Sequence, residues 1–261
     1  MEKEVLKNDK IKSLEKAIDL LELLSDNKKE IGITEINREL HMGLSTIHRI
    51  LATFKYRGYI VQNRQTSKYM LGTKLFILGS KVQNTTNLIK VVTPFLQRLS
   101  QNTNETINFA ILEGREAIYI FKIESKETLK AGIEVGTKVE AHCASLGKVL
   151  LAFLPEQEFR MLYPNNNEKL STFTPKSISS VEELKKCLKK IKKQGYAIDE
   201  EEFKIGVNCL GVPIINNEGK AIASISISGP VSRFNLFEIE KVKNTLIVIS
   251  QDISKELLNN M

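Results

Sequence analysis

The spacing of apolar residues across positions 34–71 constrains the fold of this chain more than any other feature of its sequence. Ile36 and Leu40 lie four residues apart, on one side of a short predicted helix. A second helix, starting near Leu44, would bury four further positions: Ile47, Ile50, Leu51 and Phe54. Two extended runs, 58–61 and 68–71, then flank a polar connection and indicate a β-hairpin. Helix, turn, helix and hairpin in this order predict a winged helix-turn-helix.

Polar residues near the helix starts are candidate caps. Ser13 can cap a preceding helix with an apolar face, which comprises Leu14, Ala17, Ile18, Leu21 and Leu24. Thr34 can cap the short helix, because its hydroxyl can accept a backbone N–H that has no partner inside the helix. In the turn between the two helices, Gly43 offers a permissive backbone.

The basic charge of the chain is concentrated in the same region. Between Arg38 and Lys74 there are seven cationic residues and one acidic residue, so this segment carries a net +6 of the chain's formal +7. Most non-specific affinity for DNA comes from cations that displace counterions from the phosphates. The charge pattern alone would equally fit a solvated basic face.

The outer side of the second helix decides between these interpretations. Its residues are small or hydrogen-bonding and include one guanidinium: Ser45, Thr46, His48, Arg49, Ala52 and Thr53. Such residues suit an element that lies against base edges and phosphates. A module that binds protein partners instead of DNA would expose large apolar side chains. The helix, its basic neighbours Lys55, Arg64 and Lys68, and the polar tip of the hairpin therefore favour double-stranded DNA as a partner.

The remainder of the chain has a different pattern. A helix near 88–99 precedes two hairpins with alternating apolar residues, at 106–123 and 209–228, and further helices are predicted at 146–153, 155–162, 181–194 and 236–258. Antiparallel strands with flanking helices indicate an α+β, sensor-like domain. We therefore predict residues 1–72 as the winged helix-turn-helix, 73–86 as a linker helix, and 87–261 as an effector-binding and oligomerisation domain.

Several classes of protein are disfavoured by the sequence. No apolar run approaches the ~18 residues that a membrane-spanning helix needs, and the charged first residues lack the apolar core of a signal peptide, so we expect a cytoplasmic location. Three widely spaced cysteines match neither a disulfide framework nor a zinc site. Cys209 would need a nearby histidine to act as a nucleophile, and two of the three histidines lie in the predicted DNA-binding half. We expect no enzyme activity, no metal and no cofactor.

Five separated motifs resemble the IclR (isocitrate lyase regulator) family of bacterial transcription factors, over nearly the whole chain and in the right order. In the N-terminal half they are SLEKAIDLLELL and STIHRIL, followed by RGYI and KYMLG. In the C-terminal half they are HCASLGKVLLAFLP, GYAIDEEEFKIGVNCLGVPI and SISISGP. The family commonly has Gly-Leu-Pro in the turn, where this chain has His41-Met42-Gly43. It commonly has alanine where this chain has Asn37, which would be exposed or would contact phosphate.

The resemblance implies a winged helix-turn-helix joined by a linker helix to a GAF-like effector-binding domain. It also implies dimers, often paired into tetramers, that bind palindromic operators as repressors or activators. The candidate DNA-binding residues, from the residue types and the resemblance together, are Thr34, Ser45, Thr46, His48, Arg49, Thr53, Lys55, Arg64 and Lys68. The effector-binding residues that the resemblance implies are Ser145, Leu146, Gly147, Asp199, Cys209, Ser226 and Ser228.

The chemistry of the effector residues suggests a class of ligand. A helix N-terminus at Ser145–Gly147 stabilises a carboxylate through free N–H groups and a partial positive charge. Ser226 and Ser228 are two apart on a strand and face the same side, and Asp199 suits a hydroxyl or amine. We expect a small, carboxylate-bearing metabolite that modulates the operator binding of a repressor. In the alternatives, the serines are core hydroxyls and Ser145 only a helix cap, or the sensor acts through protein partners.

Overall fold

The computed structural model describes residues 10–26, 29–86 and 88–259, and the chain divides into two units, Met1–Thr86 and Asn87–Met261. Residues 1–9, on which the expected cytoplasmic location partly depends, lie outside the described residues. In the described part of the chain, no helix is long and apolar enough to cross a membrane. The same residues contain no group of three or more side chains placed to hold a metal ion.

The N-terminal unit is a helix-turn-helix with a two-stranded wing, as predicted. Its elements are α1 (Lys12–Asp26), α2 (Ile33–Leu40), α3 (Leu44–Arg57), β1 (Ile60–Gln62), β2 (Tyr69–Leu71) and α4 (Thr73–Thr86). A single buried cluster joins the helices to the wing and comprises Leu20, Leu24, Ile31, Ile36, Met42, Ile47, Leu51, Ile60 and Tyr69. Full burial of each large aliphatic side chain stabilises this small unit by about 1.5–3 kcal/mol.

Helix α1 differs from its predicted orientation. Leu14 and Ile18 are 55% and 45% exposed, and the residues it buries are Leu20 and Leu24. Both buried leucines belong to the C-terminal half of the helix, which is the part packed into the core of the unit. The predicted apolar face of α1 is therefore only partly buried within this unit. The helix begins at Lys12, so Ser13 lies inside its first turn.

The start of α2 and the turn after it also differ from the sequence prediction. Gly32 is the N-cap and Thr34 is the second helical residue, so the predicted Thr34 cap is wrong. His41 takes the left-handed conformation at φ 50°, whereas Gly43 has an ordinary φ of −59°. Asn37 is half-buried and donates its Nδ2 to the Met42 carbonyl at 2.6 Å. The turn is thus held by a side-chain hydrogen bond and not by a flexible glycine.

The C-terminal unit is an antiparallel sheet flanked by helices, which is the predicted α+β class. Its strands are β3 (Thr106–Glu113), β4 (Glu116–Ile123), β5 (Lys138–Glu140), β6 (Ala197–Glu200), β7 (Val207–Ile215) and β8 (Ala221–Pro230). They lie in the order β5-β4-β3-β8-β7-β6, with every neighbouring pair antiparallel. The helices are α5 (Leu88–Thr103), α6 (Ser145–Ala152), α7 (Glu156–Leu162), α8 (Val181–Gln194) and α9 (Leu236–Asn259). The short edge strands β5 and β6 were not predicted.

The two faces of this sheet have different compositions, because side chains alternate along each strand. One face is apolar, packs against α5 and α9, and includes Ile107, Phe109, Leu210, Val212, Ile225 and Ile227. The opposite face carries small and polar residues: Asn108, Asp199, Cys209, Gly211, Ser224, Ser226 and Ser228. Helix α6 covers part of it so closely that a Cβ on Gly211 would lie 2.8 Å from the Ser145 carbonyl carbon. Candidate ligand contacts are therefore concentrated on the polar face.

Candidate nucleic-acid interface and ligand pocket

Helix α3 presents the predicted contact residues on its solvent side. Ser45, His48, Arg49 and Thr53 are exposed, whereas Thr46 is half-buried. The Thr53 hydroxyl donates to the Arg49 carbonyl at 2.8 Å, which leaves its oxygen free to accept another hydrogen bond. Thr34 is also exposed, on α2. This arrangement makes the side chains accessible, while their roles in binding DNA stay predictions.

The wing is a short hairpin in which Ile60, Val61 and Gln62 pair with Leu71, Met70 and Tyr69. Its connection is shaped locally, since Asn63 Oδ1 accepts the Gln65 N–H at 2.8 Å. Exposed Arg64 and Lys68 belong to this connection. Lys55, near the end of α3, donates to Gln62 Oε1 at 2.8 Å. The helix and the wing are therefore tied together by a side-chain contact.

Several cations of this unit have no acidic partner. Within the described residues, Arg49, Arg57, Arg64 and Lys68 form no ion pair, whereas Arg38 is paired with Glu39 at 2.9 Å. Unpaired exposed cations are the groups that phosphates can engage without first breaking a salt bridge.

Helix α3 also exposes two larger side chains that the sequence analysis did not select. Tyr56 is 89% exposed and lies between Lys55 and Arg57, and Leu44 is half-exposed at the other end of the helix. Twelve residues of helix separate them by roughly 18 Å. They do not form one contiguous apolar surface of the kind that a protein partner would need.

A pocket opens on the polar face of the sheet in the C-terminal unit. Its cavity volume, in the space open to a water-sized sphere, is about 20 Å³. It is lined by Asn108, Tyr119, Ala131, Gly132, Ile133, Ala144, Asp199, Phe203, Lys204, Val207, Cys209 and Ser228. Three of the seven predicted effector residues belong to this set: Asp199, Cys209 and Ser228. They are brought together by register, since Asp199 pairs with Cys209 across β6–β7 and Cys209 pairs with Ser228 across β7–β8.

The other four predicted effector residues do not line the pocket. Ser145, Leu146 and Gly147 form the buried start of α6, and the pocket is reached instead by Ala144, the N-cap. No side chain caps this helix, so the alternative in which Ser145 is the cap is wrong. A Cβ on Gly147 would lie 2.3 Å from the Ala141 Cα, so this glycine permits packing against that segment.

Asn108 connects the two serines of β8. Its Nδ2 donates to Ser226 Oγ at 3.3 Å and to Ser228 Oγ at 3.0 Å, and Asn108 and Ser226 are opposite each other in the β3–β8 register. Ser226 lies behind this amide and does not line the pocket. The sequence analysis missed Asn108, although a polar residue in the apolar run TINFAIL is a signal that could have identified it.

Asp199 places a negative charge at the pocket wall. Its Oδ1 accepts the Glu202 backbone N–H at 2.7 Å. Burial raises the pKa of Asp199 to about 6, and the positive charge of Lys148 partly opposes this rise. Lys148 is 1% exposed on α6, donates to the Ile198 carbonyl at 2.7 Å, and forms an ion pair with Glu202. Burial likewise raises the pKa of the Glu202 carboxyl to about 7.

The environment of the cysteine in the pocket makes its thiol unreactive. Burial raises the pKa of the Cys209 thiol well above its ordinary value, and the nearby Asp199 charge acts in the same direction. A nucleophilic cysteine needs its thiolate form. This environment therefore disfavours covalent catalysis at Cys209.

Two loops form the remaining walls and are each held by hydrogen bonds. Arg233 pairs with the buried Glu105 and donates its Nη2 to the Leu129 carbonyl at 2.9 Å, beside the 131–133 segment. On the other side, Ser177 Oγ donates to the Glu202 carbonyl at 2.6 Å, next to Phe203. These contacts join segments distant in sequence, so motif spacing could not reveal them.

Comparison with known proteins identifies both halves of the chain. The family model for the IclR helix-turn-helix domain matches residues 13–64, and the model for the bacterial transcriptional regulator IclR C-terminal domain matches residues 80–255. The HTH-type transcriptional regulator XynR of Escherichia coli (strain K12) is 36% identical over 247 residues, which cover 95% of this chain and 97% of XynR. The transcriptional repressor IclR of the same strain is 31% identical, covering 85% of this chain and 81% of that protein.

Solved structures agree with these relatives. The Thermotoga maritima IclR crystal structure superposes with a TM-score of 0.77 at 30% identity, covering 95% of this chain and 99% of that chain. An IclR homologue from Microbacterium hydrocarbonoxydans, crystallised with 4-hydroxybenzoate, gives a TM-score of 0.83, covering 95% of this chain and all of that chain. Its identity is 21%, so this second likeness concerns the fold alone.

Proposed function

Because this chain belongs to the IclR family of bacterial transcriptional regulators, we propose that it represses transcription from an operator and that a small carboxylate-bearing metabolite controls its affinity for that operator. The predicted family resemblance is confirmed. The chain is a DNA-binding transcriptional regulator with an effector-binding domain, and not an enzyme. The repressor role, the class of effector, the individual contact residues and the assembly are the proposal.

The observation that carries the DNA-binding proposal is the solvent side of α3 with its unpaired cations. We place α3 in the major groove, where Ser45, His48 and Arg49 contact base edges or nearby phosphates. Arg64 and Lys68 of the wing contact the flanking backbone or the minor groove. Tyr56 joins this surface as a further phosphate contact, because its side chain is exposed and can offer its hydroxyl to a phosphate oxygen.

Two subunits would read an inverted repeat with half-sites one or more helical turns apart, each turn being about 34–36 Å. Dimers, and tetramers formed from them, are supported by the family. They are also supported by exposed apolar side chains at the start of α1 and on α4, the proposed linker helix of residues 73–86: Ile11 just before α1, Leu14, Ile18 and Phe76. Residues 1–72 would bind DNA and residues 87–261 would bind the effector.

The effector would bind in the pocket of the C-terminal unit. Ala144 brings the partial positive charge of the α6 N-terminus beside the pocket, which favours a carboxylate there, and Lys204 adds a cation at the wall. The Microbacterium relative was crystallised with 4-hydroxybenzoate, which carries both a carboxylate and a hydroxyl. Effector binding would alter the spacing or mobility of the paired DNA-binding units, with a sign set by the state that the ligand prefers.

Selection of random double-stranded DNA with the purified full-length protein tests the proposal. We expect an enriched inverted repeat with fixed spacing, and repression of a reporter that carries this repeat between promoter and gene. Arg49→Ala should weaken the enrichment and relax the preference at one base position. The matched control, Arg160→Ala, removes an exposed arginine of the C-terminal unit and should leave the enrichment unchanged. No enriched sequence, with or without added carboxylates, would contradict the proposed operator binding, and reporter activation would contradict the repressor role.

A further inference from the structure

Helix α8 carries a strong local charge in the C-terminal unit. Residues 185–193 contain six lysines and no acidic residue, a charge of +6, whereas residues 87–261 as a whole carry a net +2. Lys186 pairs with Glu182, and Lys185 donates a hydrogen bond to Asn166. Within the described part of the chain, the other four lysines form no ion pair: Lys189, Lys190, Lys192 and Lys193. This helix therefore keeps a positive field that its own unit does not neutralise.

The lysines of α8 form two rows with different surroundings. Lys185, Lys189 and Lys192 follow the i, i+4, i+7 spacing of one helix face and span roughly 10 Å, about two turns. This row borders a groove between α8 and the segment 151–159. The second row consists of lysines that do not line the groove: Lys186, Lys190 and Lys193. One row of cations thus adjoins a concave surface and the other faces solvent.

The groove has an apolar floor beside its row of lysines. Its cavity volume, in the space open to a water-sized sphere, is about 300 Å³. The floor consists of buried apolar side chains: Leu151, Leu154, Phe159 and Leu188. Lys185 Nζ lies 5.8 Å from the centre of the Phe159 ring, so charge and apolar surface adjoin directly. Among the described residues, the acidic side chain in the lining is Glu156, and it is paired with Arg160 at 3.0 Å.

We propose that this groove binds a short, acidic, amphipathic helix of a partner protein. Apolar side chains of that helix enter the groove, and its carboxylates face the row formed by Lys185, Lys189 and Lys192. The apolar floor favours a polypeptide over nucleic acid, because phosphates gain from the lysines and nothing from the floor. The length of the lysine row favours a helix over a small anion. This partner is additional to DNA and to the effector, and the proposal rests on neither.

Selection from a random peptide library displayed on phage, with immobilised full-length protein, tests the proposal. We expect the enriched peptides to combine Asp or Glu with large apolar residues at helical spacing. Fluorescence anisotropy of the labelled enriched peptides then measures their affinity, which should fall as the salt concentration rises, because exposed charges are screened. The absence of enrichment, or enrichment of peptides without acidic residues, would overturn the proposal.

Two double variants locate the binding surface. The groove variant is Lys189→Glu with Lys192→Glu, and the outer variant is Lys190→Glu with Lys193→Glu. Both make the same charge change on the same helix, and all four lysines are exposed, so both should unfold at temperatures close to that of the wild type. The groove variant should bind the peptides about tenfold more weakly than the outer variant, because attraction at the groove becomes repulsion. Equal affinity of the two variants would overturn the assignment to the groove.

Two further measurements on the same variants examine other occupants of the groove. We expect both variants to bind a non-operator DNA duplex with equal affinity. We also expect both to sediment as the same assembly. A loss of DNA affinity confined to the groove variant would identify a nucleic-acid contact, and a change of assembly confined to it would identify a second copy of this chain. Either result would overturn the proposed partner helix.

Discussion

Replacing Lys148 with methionine should destabilise the protein by an amount that depends strongly on pH. In the wild type the buried ammonium compensates two buried carboxylates, those of Glu202 and Asp199. Removing one partner of a buried ion pair costs about 3–5 kcal/mol, because an uncompensated charge remains. We therefore expect Lys148→Met to lose roughly this much stability at pH 8.

The cost should decrease as the pH falls. Burial raises the pKa of folded Glu202 from 4.5 to about 7, so the folded state binds a proton more readily than the unfolded chain does. Stability contributed by this group is therefore highest at low pH and declines as the pH rises from about 4.5 to 7. Without Lys148 the pKa rises further, since the lysine lowers it. At pH 5 the variant would carry a neutral Glu202, and its deficit should shrink to the roughly 1–3 kcal/mol that the lost hydrogen bond to the Ile198 carbonyl costs at any pH.

Differential scanning calorimetry of the full-length protein between pH 5 and 8 measures this deficit. Lys176→Met is a matched control, because Lys176 pairs with Glu200 and Glu201 of the same loop but is half-exposed. An exposed pair contributes only about 0–1 kcal/mol, so this control should show a small deficit. A deficit of Lys148→Met that is constant across this pH range, or no larger than that of Lys176→Met, would refute the reasoning.

Three further predictions concern the two functional surfaces. Arg49→Ala should cost about 1–3 kcal/mol of operator affinity and relax preference at one base position in equilibrium gel shifts, whereas a uniform loss across sequences would indicate a phosphate contact. Ser228→Ala should weaken the effector response more than Ser226→Ala, because only Ser228 lines the pocket, and both should retain DNA binding without effector; an unchanged response in both would exclude these serines. Cys209 should resist alkylation by iodoacetamide at pH 8 in the native protein and react after denaturation, and rapid native labelling would contradict its raised pKa.

Elements with clear apolar periodicity were predicted correctly from the sequence. The predictions were wrong where contacts between residues distant in the chain set the conformation. The helices around Ile47 and Leu51 and the paired hairpins follow from apolar spacing alone. The turn could not be read in the same way, because the Asn37–Met42 hydrogen bond replaces the expected role of Gly43. Leu14 was assigned to the core because amphipathic spacing defines a face without saying what covers it.

Some residues of the pocket were predicted from the sequence and others were missed, for a related reason. Asp199, Cys209 and Ser228 were found through motifs, and their alignment follows from the pairing of β6, a strand of four residues that gave no periodic signal. Asn108 was missed because a single polar residue in a strand is usually read as one that faces solvent. Its role depends on two serines more than a hundred residues away in the chain.

The close backbone approach around α6 has a practical consequence for redesign of this protein as a biosensor. Gly147 and Gly211 leave no room for a Cβ, and any side chain there would push α6 away from Ala141 or from β7. A mutagenesis library for altered ligand response should keep both glycines and diversify pocket positions whose side chains face the cavity, such as Ile133, Phe203 and Val207. Restricting the diversity in this way would spare a large share of clones that otherwise fail to fold.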